Sequence, residues 1–313
     1  MRVRVVCPKC QGQSQIEAGH VGLTVGCPRC GHAFPAKAAP AVPPAPAAPR
    51  RKGPVTLQIG SAIARGQRER NEDSLLVHHL TWGFKEERHE LAILVVADGL
   101  GGHAAGDRAS TIVVRTIGQA LAPLMASLVG GQFSQAGPAL LLESLDYALQ
   151  EANRVVYRKG KGDAASAGMA ATAAVLLVWN GQVAIGHVGD CRVYLHRVGQ
   201  LRQVTKDQTL VGRMVELGTL SPAEAAVHPD RHQVLTAIGQ HFDVKPARYQ
   251  LALEPGDCLL AASDGLTADL DEKEIAARLR SPAPPGVMAR LLVDQADKAG
   301  GSDNCTVIVV QAV

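Results

Sequence analysis

The chain has 313 residues, of which 46% are hydrophobic and 19% charged, and its net charge is +3. This is a globular composition, long enough for one large domain or two smaller ones, and it excludes a disordered or fibrous chain. Aromatic residues make up only 3%, which argues against stacking platforms for single-stranded nucleic acid in the main body. No apolar run approaches the roughly 18 residues of a membrane span. The start MRVRVVCPKC lacks the apolar segment and cleavage site of a secretory signal, so a cytoplasmic location is expected.

Charge and cysteine are unevenly spread. Residues 1–54 carry eight basic side chains against Glu17 alone, a charge of +7, which leaves −4 for the rest. Four of the seven cysteines lie in two tight pairs, Cys7-x2-Cys10 and Cys27-x2-Cys30, separated by sixteen residues. That spacing predicts a structural zinc site, because each Cys-Pro-x-Cys knuckle aims two thiolates at one ion and two knuckles complete a tetrahedron. So small a piece has no room for a hydrophobic core, and the metal supplies its folding energy. The stretch resembles the short zinc-ribbon motif of many bacterial proteins. Four cysteines fill such a site, so His20 and His32 are read as surface residues. Cys191, Cys258 and Cys305 stand singly in apolar surroundings, as buried thiols of a reducing compartment do.

Three regions follow: a zinc ribbon over residues 1–35, a linker over 36–54 and the body over 55–313. The linker, AKAAPAVPPAPAAPRRKGP, is too rich in Ala and Pro to form a core. In the body, the pattern predicts strands at 55–64, 75–80 and 91–97, the last apolar on both faces and therefore buried. Helices are predicted at 104–122 and 140–158. Alternation and β-branching give strands at 171–179, 183–188 and 192–196. The turns Asn180-Gly181 and Gly199-Gln200 make these read as antiparallel hairpins. After an irregular stretch at 207–240, with short helices at 209–217 and from 221, come a strand at 257–262, helices at 271–280 and 285–299, and a last buried strand at 305–310.

One device recurs. An Asp stands beside a small or glycine turn at the end of a predicted strand in Ala97-Asp98-Gly99, Ser263-Asp264-Gly265 and Ser302-Asp303-Asn304, and Gly189-Asp190 lies between two strands. A carboxylate at such a place is costly to bury alone. Carboxylates delivered by separate strands can converge on hard cations, and Mg²⁺ and Mn²⁺ prefer oxygen ligands. No HExxH pattern, GxxxxGK[ST] loop or Cys/His set occurs in the body.

Six motifs then fall in order: Arg68-x-x-Asn71-Glu72-Asp73-Ser74, Val96-Ala97-Asp98-Gly99-Leu100-Gly101-Gly102-His103, Gly189-Asp190-Cys191-Arg192-Val193-Tyr194, Leu235-Thr236-Ala237-Ile238-Gly239, Ser263-Asp264-Gly265-Leu266-Thr267 and Ser302-Asp303-Asn304-Cys305-Thr306. Together they resemble the PPM family, the metal-dependent type 2C protein serine/threonine phosphatases, over essentially all of residues 57–311. The resemblance implies an α+β fold, a four-layer α-β-β-α sandwich of two antiparallel sheets. It implies that Asp98 bridges two Mn²⁺ or Mg²⁺ ions, that Asp264 and Asp303 complete one metal's shell, and that Glu72 and the Gly99 carbonyl belong to the other. Asp190, with Asp264, matches a third metal position. Asp73 orients water, Arg68 binds phosphate, and His103 donates a proton to the leaving alkoxide. The implied reaction is direct attack on phosphoserine or phosphothreonine by a water or hydroxide bridging the two ions, with no phosphoenzyme.

Two positions depart from the family pattern. Gln208 follows Asp207 where histidine is usual, and Asp207 is read as structural. Ala268 stands where many members have an Asp, with Asp269 one residue later. The stretch 207–240 corresponds to the variable flap beside the cleft. The partners implied are phosphorylated protein substrates, a Ser/Thr kinase among them; the chain is expected to be a monomer, without a membrane or nucleic-acid partner. The competing reading is a phosphatase-like scaffold or binding module recruited through the zinc ribbon.

Overall fold

In the computed structural model the described residues are 2–6, 9, 13–17, 23–28, 30–35, 55–84, 86–101, 105–131, 138–162 and 164–313, with 2–6, 13–17 and 138 described by backbone alone. Two units result, Met1–Arg51 and Lys52–Val313. The first holds two small antiparallel hairpins: β1 (Arg2–Val6) with β2 (Gln13–Glu17), and β3 (Thr24–Gly26) with β4 (Ala33–Pro35). Cys27 and Phe34 are buried within it.

The second unit begins with β5 (Leu57–Ala64), β6 (Asp73–Phe84) and β7 (Glu87–Leu100). Two 25-residue helices follow, α1 (Ala105–Val129) and α2 (Pro138–Gly162). Next come β8 (Ala170–Trp179), β9 (Gln182–Val188), β10 (Arg192–Arg197) and β11 (Gln200–Gln203), then the short helices α3 (Leu210–Glu216) and α4 (Pro222–Ala226). The unit ends with β12 (Ala247–Ala252), β13 (Cys258–Ala262), α5 (Asp264–Asp269), α6 (Glu272–Leu279), α7 (Pro285–Ala299) and β14 (Cys305–Ala312).

The strands form two five-stranded sheets, ordered β11-β10-β13-β14-β5 and β12-β9-β8-β7-β6, antiparallel throughout. The period of two in β7 explains the layering. Leu91, Ile93, Val95 and Ala97 face α1 and α2, while Ala92, Leu94 and Val96 face the other sheet. In β14, Ile308 and Val310 join that middle core, and Val307 and Val309 turn to α5, α6 and α7. Three apolar cores therefore separate four layers, α-β-β-α, the architecture expected.

Several boundaries differ from the sequence reading. The strand expected at 75–80 runs over Asp73–Phe84, because a long antiparallel ladder to β7 supplies partners at both ends. Asp98 does not end its strand, since β7 continues to Leu100. The helix expected to stop at 122 continues through Pro123 to Val129, where burial of Leu124 and Leu128 outweighs the lost hydrogen bond. By length and composition α1 could cross a membrane, contrary to the sequence reading. Here its apolar stripe, Ala109, Val113, Ile117 and Leu121, lines the first core.

Asn180-Gly181 is the predicted hairpin turn, with φ of 46° and 78°. The next turn lies one residue earlier than expected, at Val198-Gly199 (49° and 77°). Residues 183–188 and 192–196 form no hairpin: β9 belongs to one sheet and β10 to the other, and Gly189-Asp190 is the crossing between them. The strands β11 and β12 were not foreseen.

Candidate metal centre

The crossing, the loop before β6 and the turns at either end of the α5–β14 segment bring the predicted carboxylates together. Asp73 opens β6 directly opposite Asp98 in β7, and Asp98 stands opposite Thr172 in β8. Asp73 is 6% exposed and Asp190 7%. Asp264 opens α5, and its N-cap Ser263 does not cap the helix with its side chain. The Ser263 hydroxyl instead donates to Asp73 Oδ2 at 2.7 Å and accepts from the Thr306 N–H at 2.9 Å. Asp303 Oδ2 accepts from Arg68 Nη2 at 2.6 Å, and Arg68 Nε donates to the Ser302 carbonyl at 3.2 Å.

Asn304 holds the loop carrying Glu72. Its Oδ1 accepts from the Glu72 N–H at 2.7 Å, and its Nδ2 donates to the carbonyls of Arg65 and Arg70 at 2.7 and 2.9 Å. The Gly99 N–H donates to the Glu72 carbonyl at 3.1 Å. Gly106 in the first turn of α1 faces the same place. A Cβ there would lie 2.7 Å from Glu72 Cδ, 2.8 Å from its Oε1 and 2.9 Å from the Gly99 oxygen. The Glu72 carboxylate and the Gly99 carbonyl therefore share one small space that only glycine leaves open.

The electrostatics follow from this crowding. Burial, then the nearby charges of Asp73, Asp264, Asp190 and Asp303, push the Asp98 carboxyl well above the usual range. Burial pushes Asp73 up to about 7, against the hydrogen bond from Ser263 that favours its charge. Burial and then Asp264 push Asp190 up to about 7. Glu72 is raised by burial and by Asp107. Asp73 Oδ1 and Asp264 Oδ1 are buried with no hydrogen-bond partner.

Such a cluster, made of oxygen donors and lacking its own counter-charge at the centre, fits hard divalent cations such as Mn²⁺ or Mg²⁺. Among the described residues no three Asp, Glu, His or Cys side chains are drawn tightly onto a single point, and Asp303 is turned onto Arg68.

Of the residues singled out by sequence, Arg68, Glu72, Asp73, Asp98, Gly99, Asp190, Asp264 and Asp303 thus meet at one end of the sandwich. His103 lies outside the described residues, as do Cys7 and Cys10. Cys27 is buried and Cys30 exposed. Around them the backbone closes a turn, with the Gly31 N–H donating to the Cys27 carbonyl and the Cys27 N–H to the His32 carbonyl, both at 2.9 Å.

Asp207, read as structural from the sequence, sits in a polar network. It accepts from Arg192 Nε and Nη2 at 2.9 and 2.6 Å through Oδ2, and from Gln203 at 2.8 Å. Asp269, next to the substituted Ala268, accepts from the Ser302 N–H at 2.9 Å and braces the loop before Asp303. Sequence reasoning assigned no role to Ser263, Asn304, Gly106 or His232. The first two sit inside the quoted motifs, which was the available signal. Gly106 carries none. His232, from the 207–240 stretch, places Nδ1 3.7 Å from Asp264 Oδ2.

Comparison with known proteins agrees with this geometry. The family model described as protein phosphatase 2C matches residues 62–292. The protein phosphatase PhpP of Streptococcus pneumoniae is 32% identical over 254 residues, covering 81% of this chain and 97% of PhpP. The crystal structure of the Mycobacterium tuberculosis serine/threonine phosphatase PstP/Ppp superposes with a TM-score of 0.68 at 31% identity, over 82% of this chain and 98% of that one. The catalytic domain of PstP in complex with two manganese ions gives 0.67 at 29% identity, over 83% and 99%. With most of its body matched by the family model and its fold shared with these enzymes, the chain belongs to the protein phosphatase 2C family.

Proposed function

We propose that this chain hydrolyses phosphoserine and phosphothreonine in proteins, using two Mn²⁺ or Mg²⁺ ions, and that a Ser/Thr kinase is among the proteins it opposes. The observation that carries this reading is the convergence of Asp73, Asp98, Asp190, Asp264 and Asp303 from separate elements into one partly buried, mutually repelling cluster. Asp98 would be the central ligand, Glu72 and the Gly99 carbonyl would hold one ion, and Asp264 and Asp303 the other. Asp190 with Asp264 offers a third position. When bound, such ions lower the pKa of water and neutralise charge on the phosphoryl group.

The protein's own groups do the rest. Asp73, fixed by Ser263, is placed to orient water and take its proton. Arg68 is exposed at the edge of the cluster and anchored through Ser302 and Asp303, so its guanidinium can grip phosphate in a charge-assisted fork. His103 is assigned to protonating the leaving alkoxide. The body's cysteines play no nucleophilic part: burial pushes the Cys258 thiol up to about 12 and the Cys191 thiol well above its usual range.

For the N-terminal region the reading is a zinc ribbon over residues 1–35, with Cys7, Cys10, Cys27 and Cys30 as ligands, joined by the 36–54 linker to a phosphatase domain over 55–313. The closed turn at Cys27 to His32 supports it. The protein acts as a cytoplasmic monomer, and the ribbon recruits a protein partner. Phosphate release from a phosphothreonine peptide, with and without Mn²⁺, tests the enzymatic reading. Zinc content after dialysis, lost in a Cys27→Ser variant, tests the ribbon.

A further inference from the structure

Gln208 makes two hydrogen bonds to a single residue. Its backbone N–H donates to the Gly189 carbonyl at 2.8 Å, and its side-chain Oε1 accepts from the Gly189 N–H at 2.9 Å. Gly189 is the pivot of the β9–β10 crossing and immediately precedes Asp190. Its φ of 97° lies in the left-handed region, and a Cβ there would collide with the Thr172 side chain. Both backbone polar groups of this confined pivot are therefore satisfied by Gln208.

Gln208 also anchors the stretch that borders the site. The Leu235 N–H donates to the Gln208 carbonyl at 2.8 Å, and the Leu210 N–H to the Gln233 carbonyl at 2.9 Å. The same short ladder carries His232 to Asp264. One structural unit thus grips the residue before Asp190 and reaches Asp264, whose Oδ1 is buried without a partner.

We propose that Gln208 is a positioning residue for Asp190: by holding both backbone groups of Gly189 it aims the Asp190 carboxylate toward Asp264, so that the pair can bind a divalent cation. The proposal rests on reading Asp190 as a cation ligand. Groups that orient ligands without touching the metal typically change metal affinity by roughly 10–100-fold when removed. Gln208 stands where the family pattern has histidine, and a neutral imidazole nitrogen can accept the same N–H.

The test is Mn²⁺ binding to the full chain at pH 7.5, measured by titration calorimetry and by electron paramagnetic resonance of free Mn²⁺. Asp190→Asn is expected to bind one ion fewer than wild type. Gln208→Ala is expected to keep that ion but bind it roughly 10–100-fold more weakly, with the tighter ions unchanged. Gln208→His is expected to restore the affinity. On a phosphothreonine peptide kcat falls in Gln208→Ala while KM stays near wild type. Should Gln208→Ala fail to fold, Gln208→Leu fills a similar volume without an acceptor and carries the same test. Wild-type affinity at every ion in the folded acceptor-less variant, with Asp190→Asn one ion short, overturns the proposal alone. An Asp190→Asn variant that binds as wild type removes the ligand reading and the proposal with it.

Discussion

Asp73 and Asp98 stand directly opposite each other across the β6–β7 ladder, at one end of a five-stranded sheet. Like charges opposite one another destabilise a sheet, and burial makes this pair worse. The fold therefore accepts a cost at this point that cations offset. Without added metal, Asp98→Asn should melt several degrees above wild type, at about 2–4 °C per kcal/mol for a domain of this size. Adding Mn²⁺ should raise the wild-type Tm and leave the variant nearly unmoved. Differential scanning fluorimetry in EDTA and in Mn²⁺ checks both. A wild type indifferent to Mn²⁺ would sink the reading.

Gly106 guards the space shared by Glu72 and the Gly99 carbonyl. A methyl group there meets the Glu72 carboxyl at 2.7 Å, too close for the carboxylate to stay where it is. Gly106→Ala, an otherwise favourable change in a helix, should raise the Mn²⁺ concentration needed for half-maximal activity by roughly 10-fold. A metal titration of initial rates reads this directly, and an unchanged curve would show that Glu72 is not constrained there.

These two sites also mark what the amino-acid sequence discloses. Asp98 was legible because a carboxylate after seven apolar residues has no bland explanation once Asp264 and Asp303 repeat the pattern. Three buried strands were legible for the same reason: β7, β13 and β14 are apolar on both faces, as the middle layers of a sandwich must be, whereas β8 was read from alternation and β-branching. Gly106 was not legible, because its meaning lies in the residue it faces, 34 positions away at Glu72. Nor was the crossing at Gly189-Asp190, since a turn signal does not say which sheet receives the next strand. Pro123 misled because a proline's local cost is set against burial that only the tertiary fold reveals.

Arg192 and Asp207 form a charge-assisted pair beside the carboxylate cluster, with side chains 29% and 17% exposed. Removing one partner leaves a largely buried charge. Asp207→Asn should cost about 3 kcal/mol of stability, measured by urea denaturation with unchanged m-value. A loss within 0.5 kcal/mol would mean that solvent replaces the carboxylate.

His187 in β9 is fully buried, and that burial pushes its pKa down to about 4 against the pull of Asp207. In the unfolded chain it titrates near 6.5. Between those values the unfolded state binds the extra proton, so stability falls as pH drops from 6.5 toward 4. This group's share of the loss approaches about 3 kcal/mol. The acidic cluster contributes with the opposite sign, because its raised carboxyls bind protons in the folded state. Comparison with His187→Phe isolates the histidine: the variant should lose less stability than wild type over that window. Parallel stability curves would contradict a neutral, buried imidazole.

The most direct test is release of inorganic phosphate from a phosphothreonine peptide by the full chain. Wild type should be active with Mn²⁺ and silent in EDTA, and Asp98→Asn should fall by at least about 10³-fold at saturating Mn²⁺, the loss of a ligand on which the other carboxylates converge. Equal rates for wild type and Asp98→Asn, or full activity in EDTA, would contradict the metal-dependent phosphatase described here.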